Sequence, residues 1–131
     1  MDRPAEPIAV LLVDDEEGYL SVLAKRLIHR GLTVVTSPTG QAGIQALRRR
    51  DFDAAVLDLK MEDMDGIELL KIFRNMDPHL GVVMLTGHGS AKAREDGQRL
   101  GAFAYLNKPC EFADLLAAIQ SAAEHTRRGR G

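Results

Sequence analysis

Short apolar runs alternate with longer segments whose apolar residues recur every three or four positions, and this alternation constrains the fold more than any other feature of the chain. A strand covered on both faces needs a near-continuous apolar run, whereas a helix laid against it needs only one apolar stripe. Their repetition is the pattern of βα units around a parallel sheet. The runs 8–13, 32–36, 54–59, 82–86 and 102–106 predict five strands, each followed by a helix. Leu20, Leu23, Ala24 and Leu27 mark the first helix, with Gly31 as a stop, and Thr39 caps a second that carries Ala42, Ala46 and Leu47. Asp65, with Glu68 three positions on, opens a third, whose inner stripe is Leu69, Ile72, Phe73 and Met76 and which closes at Asp77-Pro78. The fourth, over 91–100, has only Ala93, Gly97 and Leu100 on its apolar side. It is expected to be the most mobile, since a glycine within a helix costs up to ~1 kcal/mol. Leu115, Leu116, Ile119, Ala122 and Ala123 mark the last.

A chain of 131 residues, 45% of them hydrophobic, has the size of one domain and buries enough surface to need no disulfide or structural metal. Its single cysteine, Cys110, could build neither. The regular pattern fills 8–124, which leaves 1–7, with Pro4 and Pro7, and 125–131, with Arg127, Arg128 and Arg130, as expected flexible ends. No apolar run is long enough to cross a bilayer, so membrane contact is not expected and a cytoplasmic location is the default. A net charge of −2 gives no overall case for direct nucleic-acid contact.

In an open parallel sheet, ligands bind beyond the carboxyl ends of the strands. Asp14, Asp15 and Glu16 follow the first run, Asp58 lies at the end of the third, Thr86 and Gly87 at the end of the fourth, and Lys108 just past the fifth. Carboxylates crowded together repel unless protonated or bridged by a cation. An all-oxygen set with room for water suits Mg²⁺ or Mn²⁺, ions that commonly combine one or two carboxylates with phosphate oxygens. Lys108 supplies a point charge for a phosphate oxygen and Thr86 a hydroxyl, while Gly87 and Gly89 let a ligand approach the backbone. The set fits a dianionic phosphoryl group bound through a metal, with Asp58 as the nucleophile that accepts it. Singly the residues say less: an acidic pair suits a helix N-terminus, threonine is common in strands, and Tyr105 reads as a half-buried sheet aromatic.

The segments 12–16 (Leu-Val-Asp-Asp-Glu), 57–61 (Leu-Asp-Leu-Lys-Met), 64–66 (Met-Asp-Gly), 84–89 (Met-Leu-Thr-Gly-His-Gly) and 101–109 (Gly-Ala-Phe-Ala-Tyr-Leu-Asn-Lys-Pro) carry a closer likeness. Together they resemble the receiver domain of bacterial two-component response regulators, over essentially the whole chain. The resemblance implies an α/β fold with a five-stranded parallel sheet in the order 2-1-3-4-5, flanked by five helices. It implies that Asp58 is the phosphoacceptor, charged by a sensor histidine kinase or a histidine phosphotransfer protein. Mg²⁺ would be held by Asp15 directly, by Asp14 mainly through water, by Asp58 and by the backbone carbonyl of Lys60. Lys108 would contact the phosphoryl group and precede a cis proline peptide. Thr86 and Tyr105 would be the switch pair, moving inward to alter the surface of helix four, strand five and helix five toward a downstream target or a homodimer. Such a protein catalyses only its own phosphorylation and dephosphorylation.

Glu62 stands where many receivers carry proline, so 61–65 is expected to be a looser, more acidic loop with weaker metal binding. Lys60 and His88 flank, by the same resemblance, the path of the water that attacks the acyl phosphate. Two other readings stay open. A binding module of the same fold without phosphorylation is disfavoured by the complete acidic set and, for a flavin carrier, by the absence of Trp. An aspartyl-phosphate phosphatase is disfavoured because Asp58-Leu59-Lys60 lacks a second aspartate to serve as general acid. The chain could be a whole protein or one receiver of a longer regulator, since 86–89 resembles receivers attached to enhancer-binding transcriptional activators.

Overall fold

The five expected strands lie side by side, all parallel, with the second at one edge, followed by the first, third, fourth and fifth. They are β1 (Ala9–Val13), β2 (Thr33–Ser37), β3 (Ala54–Leu57), β4 (Gly81–Thr86) and β5 (Ala104–Asn107) in a computed structural model that describes residues 6–87 and 89–131. Every residue of β1, β3 and β4 is buried, whereas the edge strands β2 and β5 are only partly covered, as their more polar sequences require. Alternate residues of each strand face opposite layers. Leu11, Val13, Ala55, Leu57, Val82 and Met84 pack against Ile44 and Leu47 of α2 (Gly40–Arg49) and against Leu69, Leu70 and Phe73 of α3 (Gly66–Met76). Their neighbours Val10, Leu12, Ala54, Val56, Val83 and Leu85 pack on the other side against α1 (Glu17–His29) and α5 (Phe112–Arg130). The remaining helix, α4 (Ala91–Arg99), buries only Gly97.

Local signals set most of the boundaries. The hydroxyl of Thr39 accepts a hydrogen bond from the Ala42 N–H (3.0 Å), the carboxylate of Asp65 one from the Ile67 N–H (2.8 Å), and Gly31 leaves α1 at φ +88°. Two strand boundaries lie two residues from where they are expected. β3 ends at Leu57 rather than 59 because the Leu59 carbonyl accepts from the Gly66 N–H (2.6 Å) and Lys60 bridges Asp65, which turns the chain out of the sheet. β5 begins at Ala104 rather than 102, after the Gly101 turn at φ +91°. In α3, Leu70 joins the buried stripe, while Ile72 and Met76 are half-buried, because the stripe is centred on Gly66, Leu69, Leu70 and Phe73.

The largest departure is at the C-terminus. Residues 125–130, expected as a flexible basic end, continue α5. The Gly81 N–H donates to the buried Thr126 hydroxyl (2.8 Å), which in turn donates to the Ala122 carbonyl (2.8 Å). A Cβ on Gly81 would lie 2.7 Å from that carbonyl oxygen, so glycine is what lets β4 approach the helix this closely. Arg127 grips Asp53 through two N–H···O bonds of 3.1 Å and also donates to the carbonyls of Glu6 and Pro7, and Arg130 pairs with Asp77. The other oxygen contact of Asp53 is the Ala9 N–H (2.8 Å), so this one carboxylate joins the starts of β1 and β3 to the end of α5. Among the described residues no helix is long and apolar enough to cross a membrane.

Burial opposes ionisation of Asp53, but the Arg127 guanidinium and the Ala9 N–H outweigh it and hold its pKa below the ordinary aspartate value. A depressed folded-state pKa contributes stability above the unfolded-state value and loses it as the pH falls through the folded one. Asp53→Asn is therefore expected to lower stability at pH 7 by about 1–2 kcal/mol, a figure discounted for the partial exposure of Arg127. In urea titrations the deficit should shrink toward zero below roughly pH 3–4. A deficit that stays constant with pH would show that the clamp is not electrostatic.

Candidate functional site

Sheet hydrogen bonds, carried one residue past the strands, place the functional side chains. The Asp14 N–H donates to Ser37 (3.2 Å), the Asp58 N–H to Val13 (3.0 Å) and the Lys108 N–H to Thr86 (2.9 Å), each to a main-chain carbonyl. The register pairs Val13 with Leu57, Leu57 with Met84 and Thr86 with Asn107. The residues that end or follow β1, β3, β4 and β5 therefore meet at one edge. Asp14, Asp58 and Thr86 are 5%, 2% and 0% exposed, three of the few polar side chains the fold buries. The Lys108-Pro109 peptide is cis, as expected.

One cation faces three carboxylates there. The Lys108 ammonium lies 2.6 Å from Asp14 Oδ2, 2.9 Å from Glu16 Oε1 and 3.9 Å from Asp58 Oδ2. Burial works against its charge, yet the hydrogen bonds to Asp14 and Glu16 hold its pKa above the ordinary lysine value. Burial also raises the pKa of Asp14, against the pull of Lys108 and of the Glu16 N–H, which donates to Asp14 Oδ1 (2.9 Å). The second oxygen of Asp58, Oδ1, is buried with no hydrogen-bond partner among the described residues. Oxygens of Asp14, Glu16 and Asp58 all lie within 4.8 Å of one another. A buried carboxylate with an unsatisfied oxygen among like charges is costly in isolation and is the donor set a hard divalent cation takes. The residues present could hold such an ion.

Of the residues expected at the site, Asp14, Asp58, Thr86 and Lys108 are brought together. Asp15 is half-buried and outside the cluster of close carboxylate oxygens, in which Glu16 takes part instead. Lys60 is exposed and its backbone bridges Asp65. Tyr105 is already buried, with Gly97 beside its ring, Arg94 5.7 Å from its centroid and its hydroxyl without a hydrogen-bond partner among the described residues. His88 lies outside the described residues. Burial pushes the Cys110 thiol pKa up, the opposite of what a reactive thiol needs.

Two interactions at the site are not visible in the sequence. Glu16 was visible as a third acid, but nothing local shows that its side chain turns to Lys108. Asp63 sits in the loop expected to be loose, yet its carboxylate accepts from the Gly40 N–H (2.9 Å) and the Gln41 N–H (3.0 Å) at the start of α2, and these bonds lower its pKa. Met64 lies over Gly40. The loop is thus anchored at a helix N-terminus, where an anion is favoured, despite Glu62 in place of proline.

The model of the response regulator receiver domain family matches residues 10–120. The transcriptional regulatory protein GlrR of Escherichia coli K12 is 36% identical over 121 residues, a match covering 92% of this chain and 27% of that protein. The chain thus spans about a quarter of the length of that relative. A CheY-like response regulator receiver domain protein from Methanospirillum hungatei has a closely similar structure, with TM-score 0.90, 28% identity and coverage of 94% of this chain and 98% of that one. A response regulator protein from Burkholderia pseudomallei, solved with a phosphorylated aspartic acid, calcium ion and citrate, is similar at TM-score 0.83 and 25% identity, covering 95% and 73% of the two chains.

The backbone that carries Asp58 is packed against Gly66. A Cβ there would collide with the Asp58 carbonyl oxygen and lie 2.6 Å from Leu59 Cα, whereas a Cβ on Gly87 would meet, among the described residues beyond its chain neighbours, the Lys108 Cβ alone, at 3.8 Å. Gly66→Ala is expected to cost about 1–3 kcal/mol in urea unfolding. Gly87→Ala should stay within about 0.5 kcal/mol of the parent protein. Equal stability of the two variants would refute the close packing behind Asp58.

Proposed function

Because the chain belongs to the response regulator receiver family, we propose that it is the phosphoacceptor receiver of a two-component phosphorelay. In this reading Asp58 takes its phosphoryl group, in a Mg²⁺-dependent step, from a histidine kinase or a histidine phosphotransfer protein. The observation that carries the proposal is the buried Oδ1 of Asp58, without a hydrogen-bond partner among the described residues, with the Lys108 ammonium 3.9 Å from the other oxygen.

A carboxylate oxygen of Asp58 attacks phosphorus, the O–P bond forms as the N–P bond of the phosphohistidine breaks, and the bonding pair returns to the imidazole nitrogen. A divalent cation held by Asp14, Asp15, Asp58 and the backbone carbonyl of Lys60 would offset the charge on the phosphoryl oxygens. The chain's own contribution is positioning. Asp58 is held by its N–H on Val13, and Lys108 stands ready as a point charge for a phosphoryl oxygen. Thr86, buried at the end of β4, offers a hydroxyl on the same edge. Loss of the group is slow hydrolysis, with Lys60 flanking the water's path.

Modification of Asp58 biases a two-state equilibrium that Thr86 and Tyr105 pass to α4, β5 and α5, and that surface meets a target protein, an output domain or a second copy in the cytoplasm. Phosphorylation and dephosphorylation of itself are the only reactions it catalyses.

Incubation with acetyl phosphate and Mg²⁺ should add one phosphoryl group by intact mass, and Asp58→Asn or excess EDTA should abolish the addition. Modification that persists in Asp58→Asn would overturn the site assignment. No modification under any donor would favour a binding module, and sustained turnover of a phosphomonoester would favour a phosphatase.

A further inference from the structure

We propose that Glu16 is a positioning residue that holds Lys108 back from the phosphoryl group and so slows modification of Asp58; this rests on the phosphoacceptor reading above. An ammonium has three N–H donors. Two of those on Lys108 are spent on Asp14 Oδ2 (2.6 Å) and Glu16 Oε1 (2.9 Å), and Asp58 Oδ2 is left at 3.9 Å, beyond hydrogen-bond distance. The Tyr19 ring, with its centroid 4.5 Å from the same ammonium, attracts the charge toward α1 as well. Glu16 is fixed for this task at its backbone: its N–H donates to Asp14 Oδ1 (2.9 Å) and its carbonyl accepts from the Leu20 N–H (3.0 Å) in the first turn of α1.

The cost falls on Asp58, whose Oδ1 has no hydrogen-bond partner among the described residues while the Lys108 ammonium is bonded to Asp14 and Glu16. Glu16 also adds a negative charge within 4.8 Å of the acceptor carboxylate, where a dianion must arrive. Tethering of Lys108 and repulsion of the donor act in the same direction. The Glu16 side chain is 59% exposed, so its pair with Lys108 is weak and breakable, and Glu16 acts as a brake that leaves the reaction open.

Glu16→Gln keeps the shape and removes the charge. At saturating Mg²⁺, with acetyl phosphate as donor and intact mass as readout, the full chain carrying Glu16→Gln should be modified roughly two- to fivefold faster than the parent protein. The advantage should shrink as NaCl is raised to ~0.5 M, because an exposed pair is screened while a packing defect is not. An unchanged or slower rate overturns the proposal. So does a loss of Mg²⁺ affinity of about tenfold or more by isothermal titration, which would make Glu16 a metal ligand instead.

A second readout needs no phosphoryl transfer. In ¹⁵N–¹H spectra of the lysine ammonium groups, the Lys108 signal, assigned by its loss in Lys108→Arg, should be protected from exchange in the parent protein and broadened in Glu16→Gln. Identical signals overturn the tether itself. If the parent protein accepts no phosphoryl group from any donor, the receiver reading and the brake both fall, and the spectra still decide whether Glu16 holds Lys108.

Discussion

Negative charge without enough positive charge to balance it governs the carboxyl edge of the sheet. Asp14, Glu16 and Asp58 bring oxygens within 4.8 Å of one another, and among the described residues Lys108 lies within ion-pair distance of all three. At that separation, and at an effective dielectric of about 20, two like charges repel by about 3–4 kcal/mol. Left to themselves the carboxylates would separate or take up protons. Asp14 and Asp58 stay because each lies one residue past a strand and is tied by its own N–H to the neighbouring strand, and the strands are fixed by apolar layers on both faces. The core holds a charge imbalance that the site alone could not maintain.

The opposite edge of the sheet is built the other way. There Asp53 meets Arg127 and Asp77 meets Arg130, while Glu124 pairs with Arg128 along α5. The buried bond from the Gly81 N–H to Thr126 fastens the same helix to β4. Charges that are matched and hydrogen-bonded favour the folded state. Polar stability is thus concentrated at the amino edge, and the carboxyl edge keeps the strain that a ligand can relieve.

The same division explains what was legible in the sequence. Strand and helix identities follow from periodicities of two and 3.6, which are local, and all ten elements form where those periods predict. Asp14, Asp58, Thr86 and Lys108 were readable because a parallel sheet sends the ends of its strands to one edge, whatever their side chains do. What was not readable depends on side-chain direction or on a distant partner. The turn of Glu16 toward Lys108, 92 residues on, is one such case. Asp63 on the α2 N-terminus, 23 residues upstream, is another, and so is Arg127 on Asp53, which turns an apparent tail into the last turns of a helix.

How a change at Asp58 could travel also follows from where satisfaction is missing. Among the described residues two buried side-chain atoms lack a hydrogen-bond partner, Asp58 Oδ1 and the Tyr105 hydroxyl. The register joins them through β4 and β5: Met84 lies beside both Leu57, next to Asp58, and Tyr105, and Thr86 ends the same strand. Beyond Tyr105 lies α4, whose only buried residue is the glycine against the tyrosine ring. A buried hydroxyl without a partner costs about 1–3 kcal/mol, and a helix that buries so little has little packing to lose on moving. An input of about 1.4 kcal/mol, enough for a tenfold shift between two arrangements, is of the same order. The sparse burial of α4 is therefore a requirement of the proposed switch: a well-packed fourth helix would hold one arrangement against any change at Asp58.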